Sequence, residues 1–227
     1  MKIQRIEKRQ MHEIIYEQIK KGILEGDILP GQKLNQDELA QQMDVSRMPV
    51  RDALKRLTND GLLENSIHKG FVVTAFSKET LLDVLYVRSV LESEAVLLAE
   101  GSFTQKEFDA LEENYEKSFI ETTRGNLVKL RELNREFHFF VYNVIPSRLL
   151  LELIEKIWDR FPNYAMYTKP ETAENSLNTH RDFLLALKEK KDFALAAAIM
   201  KHHILNTQHE LDNISRTECN NGRQGEC

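Results

Sequence analysis

The sequence predicts a mainly α-helical chain built as two domains: three short helices closed by a hairpin, then an all-helical antiparallel bundle. Three observations predict it. At 227 residues the chain exceeds the usual size of a single domain. Strand-like segments occur only before residue 75, on either side of Gly70, whereas every apolar pattern after Ser77 has helical spacing. Gly26, Pro30-Gly31, Pro146, Pro162 and Pro170 fall between these segments. The expected boundaries are 1–75 and 76–213, with 214–227 too polar to bury a core and expected to be disordered.

The first helix is expected over 11–25, with Ile14, Ile15, Ile19 and Ile23 on one face and Gly26 with Pro30-Gly31 ending it. Asn35 followed by Glu38 starts a short second helix whose apolar side is Leu39 and Met43. After Asp44-Val45, Ser46 is placed to cap a third helix with Val50, Ala53, Leu54 and Leu57 inward, and Pro49 in its first turn costs little there. Segments 61–64 and 71–74 then read as the arms of a hairpin. In the second domain, helices are expected near 78–100, 104–122, 126–144, 147–160, 172–190 and 192–213, with Thr104 and Glu107 forming a capping box. Pro146, Pro162 and Pro170 mark the gaps.

Composition narrows the function classes. Apolar residues at 41% and charged residues at 30% are ordinary for a globular protein, and no apolar run approaches the ~18 residues of a membrane span. With no secretory pattern at the N-terminus, a cytoplasmic location is expected. Cys219 and Cys227 lie in the polar tail and do not form a disulfide framework. The net charge of −5 hides a local excess: residues 46–56 hold Arg47, Arg51, Lys55 and Arg56 against Asp52 alone. One helix therefore carries a basic face in an otherwise acidic chain, as expected when that face alone meets phosphate.

Three helices, a basic third helix and a hairpin make a winged helix-turn-helix, whose third helix fits the major groove of DNA. Arg47 and Arg51 are one turn apart and project from one side, with guanidinium forks suited to guanine or phosphate. The residues also carry a resemblance. Pro30-Gly31-Gln32-Lys33-Leu34, Glu38-Leu39-Ala40, Val45 through Leu54, Leu57 and Gly61-Leu62 closely resemble the N-terminal domain of GntR-family transcriptional regulators. The resemblance implies that Ser46, Arg47, Met48, Pro49 and Arg51 meet operator DNA and that His68, Lys69 and Gly70 form the wing tip. It also implies a dimer, because one winged helix covers a half-site. The chain departs from many relatives at Asp37, where they carry a basic residue.

The segment Asp83 to Glu92 with Ala95 and Leu98-Ala99 resembles the opening helix of the FadR-type FCD domain, and Asn134 to His138, His180 and Met200 to His203 resemble its later signatures. The resemblance implies a divalent metal held by one oxygen donor and three histidines, with an organic-acid effector on or beside it. Spacing points the same way: Asn134 and His138 interrupt the apolar stripe of Leu127, Leu130, Phe137, Val141 and Ile145. His180 interrupts that of Leu177, Leu184 and Leu187, and His203 falls in the inward arc of the last helix. The expected ligands are Asn134, His138, His180 and His203, with His202 as the alternate, and the donor set suits zinc or nickel. Many members have aspartate where this chain has Asn134.

Arg88 has two readings, a carboxylate clamp for the effector or a salt bridge to Glu92. Trp158, Tyr164 and Tyr167 either line a pocket or belong to the core. Two other functions compete with a metabolite-controlled regulator. One is a metal-dependent hydrolase or hydratase, for which the sequence offers no Ser-His-Asp set, His-Glu-x-x-His or anchored carboxylate pair. The other is a DNA-binding protein whose bundle serves only to dimerise.

Overall fold

The computed structural model describes residues 7–66, 70–161, 170–189 and 191–208. His68, Lys69, Tyr164, Tyr167, Cys219 and Cys227 lie outside the described residues. The chain divides into two compact units, one up to Ser77 and one from Lys78.

The first unit runs α1 (Glu7–Glu25), β1 (Lys33–Leu34), α2 (Gln36–Gln42), α3 (Arg47–Asn59), β2 (Leu63–Ser66) and β3 (Gly70–Val73). Its core joins Ile15, Tyr16, Ile19 and Ile23 of α1 to Val50, Ala53, Leu54 and Leu57 of α3, all nearly inaccessible. Ile14, expected inward, is 53% exposed and Tyr16 takes its place. At 3.6 residues per turn, Ile14 lies about 140° from Ile19, while Tyr16 lies on the Ile15–Ile19–Ile23 side.

Asn35 caps α2 by accepting the Asp37 N–H at 2.9 Å. Asp44 makes the turn into α3 with φ +51°, a left-handed conformation that aspartate tolerates better than most residues. Ser46 occupies the N-cap position of α3, yet its side chain makes no cap hydrogen bond.

The hairpin is present with β2 and β3 antiparallel, Ser66 opposite Gly70 and Leu63 opposite Val73. A third strand was not expected: β1 pairs with β3, giving the order β1-β3-β2. Two residues show no periodicity, so Lys33-Leu34 becomes a strand only because β3 offers its open edge.

The second unit is a bundle of six helices among the described residues: α4 (Lys78–Leu98), α5 (Gln105–Thr123), α6 (Leu127–Tyr142), α7 (Arg148–Trp158), α8 (Pro170–Lys188) and α9 (Phe193–Asn206). Caps stop and start them as the sequence suggests. Glu107 accepts the Thr104 N–H at 2.9 Å, and Asp192 accepts that of Leu195 at 2.8 Å. Helix α4 packs on α9 and α7, α5 on α6 and α8, and α8 on α9, so α6, α8 and α9 all reach the interior. Leu85, Ala95, Phe137, Val141, Phe183, Leu187 and Met200 fill it.

Large-to-small truncation in such cores typically costs about 2–5 kcal/mol. Leu57→Ala, at a residue with no exposed surface in the first unit, is expected to lower unfolding stability by that amount in a denaturant titration followed by circular dichroism.

Candidate metal centre and DNA-facing helix

Helix α6 exposes almost none of Asn134 or His138, at 3% and 1%, and α8 buries His180 to 4%. His203 of α9 is half-buried and turned to the same point. The ring centroid of His138 stands 5.4 Å from that of His180 and 5.2 Å from that of His203, and the last two are 4.8 Å apart. One ligand nitrogen from each of the three rings lies within 4.8 Å of the others. His202 is exposed and its Nδ1 meets Asn206 at 3.0 Å, so it is not part of the group. Asn134 is one turn before His138 and shares with His180, Ser118, Thr122 and Ser176 a shallow cleft open to solvent.

Burial decides the protonation of these rings. It lowers His138 below its ordinary 6.5 against the pull of Glu92. Burial and then the neighbouring rings lower His180 well below 6.5 and bring His203 to about 3. The three imidazoles are therefore neutral at pH 7, the state in which they can act as ligands. Moreover, the buried Nε2 atoms of His138 and His180 have no hydrogen-bond partner among the described residues. Such orphaned nitrogens are costly unless something occupies them. Two imidazole nitrogens on one ion, each at ~2.1 Å, stand at most about 4.2 Å apart, so a small rotation of the rings suffices to grip one. The residues present fit a divalent metal ion.

Arg88 is paired inside the bundle. Its Nε donates to Glu92 at 2.7 Å, both side chains are buried, and the guanidinium lies 3.8 Å from the centre of the Trp158 ring. Burial would raise the Glu92 carboxyl, but the charge of Arg88 and the contact with His138 outweigh it and hold the group at about 2. Trp158 also packs on His138 with ring centroids 5.2 Å apart. Sequence reasoning treated Glu92 only as a partner for Arg88 and missed Tyr142, whose hydroxyl meets both Glu92 and His138. The available signal was its position one turn after His138.

In the first unit, α3 turns Arg47, Met48, Arg51 and Lys55 outward with Ser46 at its start, while Pro49 is half-buried. Arg56, counted with the basic face, is spent on α1: it bonds Glu13 at 2.7 Å and lies 4.0 Å from the centre of the Tyr16 ring. Arg47 is paired through Nε with Asp37 at 2.8 Å, so Asp37 meets the recognition helix itself.

Comparison with known proteins agrees with both units. Residues 12–73 match the family model described as bacterial regulatory proteins, gntR family, and residues 83–206 match the FCD domain. The chain is 33% identical to the Nta operon transcriptional regulator of Aminobacter aminovorans, covering 76% of this chain and 81% of that protein. It is 31% identical to the HTH-type transcriptional regulator McbR of Escherichia coli strain K12, covering 74% and 77%. A solved structure of E. coli McbR/YncC has the same fold, with a TM-score of 0.75 at 24% identity over 92% of this chain and 98% of that one. No helix among the described residues is long and apolar enough to cross a membrane. A basic helix presented by a winged-helix core, and a separate helical bundle enclosing a histidine cluster, are thus found in a chain that belongs to the GntR family of transcriptional regulators and carries an FCD domain.

Proposed function

We propose that the protein is a dimeric, cytoplasmic transcription factor whose hold on operator DNA is set by a small organic acid bound at a zinc or nickel ion in the bundle. The observation that carries this reading is the convergence of three neutral imidazoles from three helices, two with unpartnered buried nitrogens. A purely dimerising bundle has no use for them, since each orphaned nitrogen weakens it. His138, His180 and His203 would hold the ion, with the Asn134 oxygen as a fourth donor. A bound ion would supply Lewis-acid attraction for an effector carboxylate. Arg88, whose charge is compensated by Glu92, serves in this reading as support for the site more than as a direct clamp.

On the DNA side, Ser46, Arg47, Met48, Pro49 and Arg51 meet the major groove, and the wing of His68, Lys69 and Gly70 enters the minor groove. Dimerisation is assigned to the outer face of α4, where Tyr86, Val90 and Leu97 form an exposed apolar stripe, 62%, 44% and 40% accessible. Effector binding then shifts the dimer between states that do and do not match the two half-sites.

Arg51→Ala is expected to weaken binding to a fragment upstream of the protein's own gene by ~1–3 kcal/mol in fluorescence anisotropy; unchanged affinity removes Arg51 from the interface. Tyr86→Asp with Val90→Asp is expected to give a monomer in sedimentation velocity, and a dimer in that variant would move the interface elsewhere.

Metal analysis of purified protein is expected to return one zinc or nickel per chain, lost in His138→Ala. Small organic acids are then expected to raise the unfolding temperature only of the loaded protein. No metal and no such shift would leave dimerisation as the bundle's role.

The histidines also make stability pH-dependent. Their folded pKa values lie below 6.5, so below about that pH the unfolded chain binds more protons than the folded one. Stability of metal-free protein is therefore expected to fall as pH drops from 6.5 toward the folded values. His203→Leu is expected to flatten that fall in thermal unfolding at pH 7, 6 and 5.

A further inference from the structure

We propose that Glu92 and Tyr142 are positioning residues that fix the tautomer of His138 and so decide which of its nitrogens is offered to an ion. The inference rests on the metal reading above, but its geometric basis is independent of it. Glu92 of α4 has no exposed surface. Arg88 takes its Oε1 at 2.7 Å and reaches Oε2 at 3.4 Å, which anchors the carboxylate and neutralises it within α4. The Tyr142 hydroxyl of α6 donates to Oε2 at 2.6 Å.

The phenolic proton is thereby spent, so toward His138 the Tyr142 oxygen can only accept. It stands 3.0 Å from Nδ1 of that ring. The other polar atom near Nδ1 is Oε2 of Glu92 itself, at 3.3 Å, again an acceptor. With acceptors on both sides, Nδ1 carries the hydrogen and Nε2 keeps its lone pair. Nε2 of His138 is the atom that is buried without a partner, on the ring that meets His180 and His203. The chain Arg88–Glu92–Tyr142–His138 thus does what a carboxylate behind a metal-binding histidine does elsewhere, with a phenol inserted between them. It also ties α4, the helix with the exposed apolar stripe, to the ligand on α6.

Tyr142→Phe removes one oxygen and leaves the Arg88–Glu92 pair intact, so it is a mild test. Zinc affinity measured by chelator competition is expected to fall about ten- to hundredfold, with an unchanged far-ultraviolet spectrum. An affinity equal to wild type overturns the role of Tyr142, because it leaves Glu92 as the acceptor that suffices for Nδ1–H. Nitrogen-15 NMR of metal-free wild type is expected to show His138 protonated at Nδ1; protonation at Nε2 overturns the proposal whatever the metal does.

A second variant avoids stranding a buried charge: Arg88→Met with Glu92→Leu removes both members of the pair. There the Tyr142 proton has lost its acceptor and turns to Nδ1, so the tautomer is expected to invert and zinc affinity to fall. Retention of Nδ1–H in that folded variant overturns the role of Glu92. A wild-type protein with Nδ1–H that takes up neither zinc nor nickel overturns the metal reading, and with it the use of the relay, while leaving the hydrogen-bond assignment standing; the two failures are therefore distinguishable.

Discussion

Three imidazoles packed within reach of one another inside a bundle are held in the neutral form, none carrying the second proton that would make it a cation. Two charged rings at 5 Å, out of water, would repel strongly, and burial already disfavours the first charge. The cluster is therefore neutral, rich in lone pairs and short of hydrogen-bond donors. Much of the second unit follows from that constraint: Phe137 stacks on His180 with ring centroids 3.9 Å apart, Trp158 packs on His138, and the nitrogens are left facing one another. Hydrophobic walls hold the rings in place.

Charge is handled in opposite ways in the two units. In the bundle, Arg88 and Glu92 are sealed from solvent, and an ion pair so placed gains little net stability because desolvation offsets the attraction. Its value lies in orientation, since it presents one carboxylate oxygen to Tyr142. In the winged helix the charges stay wet. Arg51 and Lys55 remain on the surface, and the Arg47–Asp37 pair is exposed on both sides, so water and salt leave it little energy. An arginine held only that lightly can exchange Asp37 for a phosphate or a base edge.

Much of this architecture was legible along the chain. The helical periods from Ser77 onward, the Asn35 and Thr104 starts and the Gly70 hairpin are local features, and local features survive folding. Inward stripes likewise located His138 and His180, because a polar residue at an apolar position stands out against a period of 3.6. The failures have the same origin. Ile14 was misplaced because its apolar side chain was weighed above its angle, about 140° from Ile19 around the helix. Strand β1 was missed because two residues hold no pattern, and the ties of Arg56 to Glu13 and Tyr16 were not visible because those partners are some 40 residues away.

The amino-acid order by itself determined the family, the succession of helices and hairpin, and which histidines interrupt apolar faces. These depend on residues within a turn or two of one another, where side-chain direction follows from backbone geometry. Tertiary structure alone decided that the Arg88–Glu92 pair is sealed inside the protein and that Tyr142 stands between Glu92 and His138. Both depend on how the helices pack on one another, and a buried polar atom takes whichever partner packing brings within about 3 Å.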